Sequence, residues 1–240
     1  PGRSAHIFYP QLDPTPDPDP DPRPYDVMDY RSAVDLWSAR RADRQALVAT
    51  ATLKLQAPEA KQPPLMARTL ATTGDFFPMF SVPFAQGRGW SADDDANHAR
   101  VAVISDDLNR KLFAGGDSVG RSLRLADGDV RIVGVLAPWR PSPAFYEVRG
   151  GRFSNGDTAA FYDKPEDVFV PFETAAELAP AEMDLFTCWG ERGSEETLST
   201  MPCVWVALWV QLDDAAKVAD YRRFLEGYAA GQQRLGRIGN

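Results

Sequence analysis

The sequence is poor in cysteine, histidine and basic residues, and it has no long hydrophobic segment. Its 240 residues include 2 cysteines, 2 histidines, 26 lysines and arginines and 34 aspartates and glutamates, which gives a formal net charge of −8. Because phosphate recognition needs a concentrated basic face, we expect no nucleic-acid partner. The longest apolar run, from Cys203 to Val210, is far shorter than the roughly 20 residues that a membrane-spanning helix needs.

The scarcity of histidine also limits the catalytic possibilities. A hydrolytic triad needs a histidine base, and the candidates are His6 and His98, with no G-x-S-x-G elbow in the sequence. Neither Cys188 nor Cys203 has neighbours that favour a thiolate. A pair of carboxylates for glycoside hydrolysis stays open, because 34 acidic residues always provide some pair. We predict no enzymatic activity and keep a secreted hydrolase as an alternative.

Two further patterns suggest a nucleotide or a metal ion at first sight. Gly115–Ser122 matches the phosphate loop apart from Arg121, but a helix is predicted before it and a strand after it, the reverse of the order that cradles a phosphate. Asp93, Asp94 and Asp95, with His98, contain metal-ligand side chains. Three consecutive carboxylates cannot all face one ion, so we predict a solvated acidic loop, no bound metal and no cofactor in this chain.

The central stretch from Thr72 to Trp139 has the clearest local signals. Val101–Ser105 is a β-branched run, and Ser105 with Asp106 can cap a helix that continues to Phe113. Asp127-Gly128 favours a type I′ turn, because both central residues must accept positive φ. The predicted order is therefore a strand, a helix and a hairpin formed by Ser122–Ala126 and Asp129–Leu136.

The two ends of the chain mirror each other. Near the N-terminus, Asp26 is predicted to cap a helix, and residues 47–55 alternate like a strand with one buried face. Near the C-terminus, Cys203–Leu212 predicts a strand covered on both faces, and Asp213 is predicted to cap a helix that ends near Gly231. Between residues 13 and 24, proline at every second position predicts an extended loop. We expect an α+β fold with the central stretch inserted between the packed ends.

A loop rich in aromatic residues follows the central stretch. Its candidate surface for a partner or an exported cargo consists of Phe145, Tyr146, Phe153, Phe161 and Tyr162. Core packing is the commoner fate of such residues, so both interpretations stay open.

Seven landmarks occur in order in the central region. They are Gly74-Asp75-Phe76-Phe77 followed by Pro83, Gly87-Arg88, Asp93-Asp94-Asp95, Val101–Ser105, Leu112-Phe113, Gly120-Arg121 and Val133-Gly134-Val135. Together they resemble the periplasmic core domain of MacB-like and FtsX-like ABC transporter permeases. The resemblance covers about a third of the chain. It implies a porter-like α/β subdomain formed by residues 1–72 and 185–240, and a β-rich Sabre-like subdomain formed by residues 73–184.

The resemblance also implies a function. The chain would lie on the periplasmic side of a bacterial inner membrane, joined to it by flanking helices, and would couple ATP hydrolysis mechanically to the export or release of a peptide, lipoprotein, antibiotic or toxin. ATP would be bound by a separate cytoplasmic domain or subunit. The implied partners are a second permease copy or paralogue, the ABC ATPase, a periplasmic adaptor protein and the cargo. A free-standing periplasmic or secreted ligand-binding protein is the alternative.

The same resemblance bears on the two cysteines and on the chain ends. In an oxidising compartment Cys188 and Cys203 could close a loop, and in a reducing one they would be two buried thiols. A periplasmic location favours the disulfide. The sequence starts at Pro1 without an initiator methionine or signal peptide, from which we expect a processed product or a piece of a longer chain.

Overall fold

The computed structural model describes residues 4–13, 25–57, 62–141, 144, 146, 164–185, 187–189 and 197–238. The chain divides into two compact units. The terminal unit comprises the described residues up to 47 and from 185 onward, and the central unit comprises those from 48 to 184. The predicted subdomain bounds at 72 and 184 stay predictions, as does the assignment of porter-like and Sabre-like subdomains. The proline-rich loop predicted between residues 13 and 24 lies outside the described residues, apart from Asp13.

Helices and strands alternate irregularly, and the predicted α+β class is confirmed. The described strands are β1 (Ile7–Phe8), β2 (Met28–Asp29), β3 (Arg44–Gln56), β4 (Leu65–Thr72), β5 (Phe84–Gly87), β6 (Val101–Ile104), β7 (Ser122–Leu125), β8 (Gly128–Leu136), β9 (Val168–Pro171), β10 (Thr187–Cys188) and β11 (Cys203–Gln211). The described α-helices are α1 (Tyr30–Ser38), α2 (Phe76–Met79), α3 (Ala92–Ala96), α4 (Asp106–Phe113), α5 (Phe172–Leu178) and α6 (Ala215–Arg234). Within the described ranges, no helix combines the length and the apolarity needed to cross a bilayer.

The terminal unit is built on β11. This strand pairs antiparallel with β1, β2 and β10, and its residues from Cys203 to Val210 are all buried, as its continuous apolar sequence predicts. Two of its tryptophans also contact other aromatic rings. Tyr30 stacks on Trp205 with ring centroids 6.0 Å apart, and the ring centroids of Tyr9 and Trp209 are 5.1 Å apart. The tryptophans of β11 therefore belong to the core.

Both helices of the terminal unit begin later than the sequence predicts. Asp29, not Asp26, caps α1, and its carboxylate accepts a 3.0 Å hydrogen bond from the Ser32 amide. The start is delayed because Met28 pairs with Val206 in β2. Asp214, not Asp213, caps α6 by accepting from the Lys217 amide at 2.8 Å, and α6 continues to Arg234, past the predicted end near Gly231. A glycine ends a helix only where the backbone needs positive φ, and Gly231 remains helical.

The strands of the central unit form a closed circuit of pairings. β3 pairs with β4, β4 with β9, β9 with β6, β6 with β8, β8 with β7, and β7 again with β3. β5 adds to β8 outside this circuit. The predicted single buried face of residues 47–55 holds only from Thr52 onward, since Val48 and Thr50 are buried too. Thr50 stays polar in the interior because its hydroxyl donates to Asp184 Oδ2 at 2.7 Å.

The predicted hairpin forms, but its turn is displaced by one residue. Leu125 pairs with Gly128, so the two turn residues are Ala126, at φ 48°, and Asp127. The predicted turn at Asp127-Gly128 is therefore wrong. Gly128 lies close to another element instead: a Cβ at this position would lie 2.3 Å from Leu178 Cδ2, so the Leu178 side chain would have to move to accommodate it.

Candidate functional site

The acidic stretch predicted as a solvated loop is the short helix α3. Ser91 caps it with a reciprocal capping box: the Ser91 hydroxyl accepts from the Asp94 amide at 3.2 Å, and Asp94 Oδ2 accepts from the Ser91 amide at 2.8 Å. The Ser91 hydroxyl also donates to Asp94 Oδ2 at 2.8 Å, and the bonds that Asp94 accepts from the Ser91 amide and hydroxyl hold its pKa below the ordinary value. The S-x-x-D spacing of Ser91 and Asp94 is a signal from which this helix could have been predicted.

Asp95 lies on the opposite side of α3 from Asp93 and is buried. Its Oδ1 accepts a 2.8 Å hydrogen bond from Trp90 Nε1, and its Oδ2 accepts a 2.8 Å bond from the Gly74 amide. Neighbouring His98 pairs with Glu177 through Nδ1. Asp94, Asp95 and His98 therefore each have a different structural partner, and Asp93 is exposed. The structure does not bring these four candidate metal ligands together around one point.

The aromatic landmarks build the core of the central unit. Phe76 is fully buried, and its ring centroid lies within 6.3 Å of those of Phe77, Phe80, Trp139, Tyr146 and Phe169. Offset and edge-on ring pairs of this kind add to the free energy gained from burial alone. The Gly-Asp-Phe-Phe landmark thus anchors one helix, α2, in the interior.

The glycine landmarks mark close approaches of the backbone. Gly87 adopts φ 61°, and a Cβ there would lie 2.1 Å from the Val133 carbonyl oxygen. A Cβ at Gly134 would lie 2.6 Å from the Arg88 carbonyl oxygen. Gly87 and Gly134 face each other where β5 pairs with β8, and the absence of both side chains allows this close approach. No local signal in the sequence predicts β5.

The segment that resembles a phosphate loop lies between α4 and β7, in the reverse order to a nucleotide site, as predicted. The Ser118 amide already donates to Gln86 Oε1 at 3.2 Å, and Gln86 Nε2 donates to the Gly116 carbonyl at 3.1 Å. These bonds fix the segment against β5.

Of the five aromatic residues named as a candidate surface, the structure describes one. Tyr146 is fully buried, stacks on Trp139 and donates its hydroxyl to Glu166 Oε2 at 2.8 Å. It belongs to the core, so its assignment to an exposed surface is corrected. Phe145, Phe153, Phe161 and Tyr162 lie outside the described residues.

The two cysteines named as a candidate disulfide are joined in the structure. Cys188 and Cys203 face each other as direct partners in the antiparallel pair of β10 and β11, with an S–S distance of 2.03 Å and a Cα–Cα distance of 4.0 Å. The bond fastens the short edge strand β10 to the buried central strand of the terminal unit.

Helix α6 is held to the rest of the terminal unit at three points along its length. Lys217 pairs with Asp43, the guanidinium of Arg41 lies 5.6 Å from the centroid of the Phe224 ring, and the Tyr228 hydroxyl donates to Asp35 Oδ2 at 3.0 Å. The hydrogen bond from Lys217 is the main cause that lowers the pKa of Asp43. Burial raises the pKa of Tyr228, whose hydroxyl remains a donor at neutral pH. The contacts span residues 217 to 228, about 16 Å of helix.

Comparison with known proteins identifies the family. The sequence model described as "MacB-like periplasmic core domain" matches residues 3–227. The chain belongs to this family. The resemblance drawn from the seven landmarks is thereby confirmed.

The relatives of the MacB-like chain are much longer proteins. It is 28% identical over 106 residues to the macrolide export ATP-binding/permease protein MacB of Azoarcus sp. (strain BH72), covering 44% of this chain and 14% of that protein. It is 31% identical over 103 residues to the pyoverdine export ATP-binding/permease protein PvdT of Pseudomonas putida, covering 42% of this chain and 13% of that protein. The matched part is thus about one-seventh of each relative.

Two solved structures share the fold of the MacB-like chain. The periplasmic region of MacB from Actinobacillus actinomycetemcomitans superposes with a TM-score of 0.53 at 12% identity, covering 85% of this chain and 75% of that one. The extracellular domain of the ABC-type transporter YknZ from Gram-positive bacteria superposes with a TM-score of 0.51 at 13% identity, covering 89% and 86%. At this identity the likeness shows the fold alone.

Proposed function

We propose that the chain is the extracytoplasmic part of an ABC transporter permease that transmits movement, driven by ATP hydrolysis elsewhere, to an exported cargo and its partner proteins. The observation that carries the proposal is the family match over residues 3–227. In this proposal the chain is not an enzyme and carries no cofactor, and ATP is bound by a separate cytoplasmic domain or subunit.

The architecture of the terminal unit suits this role. A part that transmits force must move as a rigid body. Helix α6 contacts Asp35 of α1 through Tyr228. It also contacts the segment between α1 and β3, Arg41 through Phe224 and Asp43 through Lys217. The disulfide fastens β10 to β11 in the same unit. A displacement of α6 would therefore move α1 with it, because these contacts keep the two helices together.

The disulfide also supports a location outside the cytoplasm. Structural disulfides persist in oxidising compartments, whereas cytoplasmic thiols are kept reduced. We therefore place the chain on the periplasmic side of a bacterial inner membrane, joined to the membrane by flanking helices.

The partners follow from the same proposal. A second permease copy or paralogue, an ABC ATPase, a periplasmic adaptor protein and an exported molecule would complete the assembly. The relatives that match are named for macrolide export and pyoverdine export, which favours export of a small molecule over lipoprotein release or cell-wall regulation. A peptide, lipoprotein or toxin remains a cargo to be tested beside an antibiotic.

The experiment is a distance measurement in membranes. A spin label at Glu226→Cys, on the exposed side of α6, reports the separation of two copies in the assembled transporter. We expect ATP with vanadate to shift the distance distribution, and an ATPase-inactive variant to show no shift. Identical distributions with and without ATP, in a preparation that hydrolyses ATP, would refute mechanical coupling.

A further inference from the structure

One edge of the sheet in the central unit brings three chain segments together. β6 and β8 run parallel, and β9 runs antiparallel to β6 with Ile104 opposite Val168. The residues after β6, those after β8 and those before β9 therefore meet at the same edge. The Ser105 amide donates to the Asp167 carbonyl at 2.9 Å and ties two of these segments together. In open α/β sheets, ligands bind preferentially outside the carboxyl ends of parallel strands, and β6 and β8 both present their carboxyl ends here.

A cavity of about 100 Å³ lies at this edge. Its lining includes Asp106 and Arg110 of α4, Trp139 and Arg140 after β8, and Glu166 before β9. By volume it holds about three water molecules, or a small functional group on a short chain. All of the lining residues belong to the central unit.

Glu166 is a buried residue in the lining of this cavity with an oxygen that could accept a hydrogen bond from a ligand. Its side chain is only 2% exposed, and its Oε2 accepts the hydrogen bond from Tyr146. Its Oε1 is buried and has no hydrogen-bond partner within the described part of the chain. A buried polar atom without a partner destabilises the folded chain, so a donor that enters the cavity and reaches Oε1 would be bound with that advantage.

The two arginines at the cavity are paired with aspartate carboxylates. Arg110 pairs with Asp106 at 2.6 Å and with Asp107 at 2.7 Å, and Arg140 also pairs with Asp107. Hydrogen bonds from Arg110 and Arg140 hold the pKa of Asp107 below its ordinary value. Three carboxyl groups therefore face two guanidinium groups at this edge, which disfavours an anionic ligand.

We propose that this cavity binds a primary ammonium group, with an N–H donating to Glu166 Oε1 beside the ring of Trp139. Trp139 stacks on Tyr146 with centroids 5.4 Å apart and planes 13° apart, which holds it in place, and aromatic rings attract cations. A guanidinium group is less suited, since its two-pronged geometry needs both carboxylate oxygens and Tyr146 occupies one. A metal ion would need several oxygen ligands, and the described residues contain no group of three acidic, histidine or cysteine side chains arranged for one.

This proposal does not depend on the transport function, and an NMR titration tests it on the 240-residue chain. We expect butylammonium chloride to shift the Trp139 indole signal saturably. Butanol, which lacks the charge, and tetramethylammonium, which lacks the N–H donors, should not produce a saturable shift of this signal. Glu166→Gln should weaken butylammonium binding about tenfold or more, the loss of one charge-assisted hydrogen bond, while the exposed Glu226→Gln should not change it.

A second variant keeps the test decisive if Glu166→Gln does not fold. Tyr146→Phe frees Oε2, so it should improve the binding of guanidinium relative to butylammonium. Saturable binding of butylammonium that is equal in the wild-type chain and in Glu166→Gln would overturn the proposal, as would no binding at all. An unchanged preference between guanidinium and butylammonium in Tyr146→Phe would also overturn it. A short lysine peptide that binds more tightly than butylammonium would assign the site to a protein partner, and weaker binding would assign it to a small amine.

Discussion

The buried carboxylate of Asp95 accepts a hydrogen bond from the indole Nε1 of Trp90 at 2.8 Å. Its second oxygen accepts from the Gly74 amide, so one side chain joins α3, the loop before it and the turn that leads into α2. Both bonds are made to a charged acceptor in a buried place, where each contributes more than a neutral bond. This contact explains why an acidic residue is needed inside the central unit.

Replacing this carboxylate should destabilise the central unit. Asp95→Asn leaves one of the two donors facing an amide NH₂, and we expect a loss of about 2–3 kcal/mol in the free energy of unfolding. Urea denaturation measures it. Asp93→Asn is the matched control, because Asp93 is exposed on the same helix. Equal stability of the two variants would contradict the assigned role of Asp95.

Two glycines should respond to alanine in opposite directions. Gly87→Ala places a Cβ against the Val133 carbonyl at positive φ and should cost about 3 kcal/mol or more. Gly227 lies within α6 with open space around it, so Gly227→Ala should stabilise the chain by up to about 1 kcal/mol. Thermal unfolding of both variants checks the pair. A loss of stability at Gly227 would mean that this face of α6 is covered.

The disulfide should stabilise the terminal unit. It closes a loop with a sequence separation of 15 residues, and its removal in the double variant Cys188→Ala, Cys203→Ala should cost about 3 kcal/mol. Calorimetry should show a fall in Tm of roughly 6–12 °C for a chain of this size. Dithiothreitol should lower the Tm of the wild-type chain to a similar extent and leave the double variant unchanged. An effect of the reductant on the double variant would point to another cause.

Stability should decline in acid. The pKa values of Asp43, Asp94 and Asp107 are all held below the ordinary value of 3.8 by hydrogen bonds made in the folded chain. A lowered folded-state pKa contributes stability above the unfolded-state pKa, and this contribution is lost as the pH falls through the lowered values. The free energy of unfolding should therefore drop below about pH 4. Replacing all three by asparagine should flatten this drop, and an unchanged slope would show that other groups cause it.

Local signals in the sequence predicted the elements that depend on local interactions. Ser105 accepts from the Leu108 amide at the start of α4, as its pairing with Asp106 after the β-branched run predicted. The continuous apolar run of β11 likewise predicted its burial on both faces. The two helix starts were predicted at the wrong aspartate, because each site offers two aspartates and tertiary contacts decide which one caps the helix. The caps are Asp29 and Asp214. Asp213 donates its amide to Asp43 instead of capping α6.

The parts that could not be predicted depend on contacts between distant residues. Nothing near Asp95 in the sequence shows that Trp90 and Gly74 will surround it, so three consecutive aspartates indicated a solvated loop. The burial of Glu166 could not be predicted from the sequence, because it results from the meeting of β6, β8 and β9. The sequence left both a core and a surface position open for Tyr146, with the core the commoner fate, and its contacts with Trp139 and Glu166 place it in the core.

The most direct test of the central claim is the coding sequence on both sides of this chain. The account predicts an apolar segment of about 20 residues in each flank, long enough to cross a bilayer. Such segments would place the chain between two membrane helices of a permease. If neither flank contains one, the chain is not part of a membrane-embedded transporter and the proposed coupling to ATP hydrolysis is wrong.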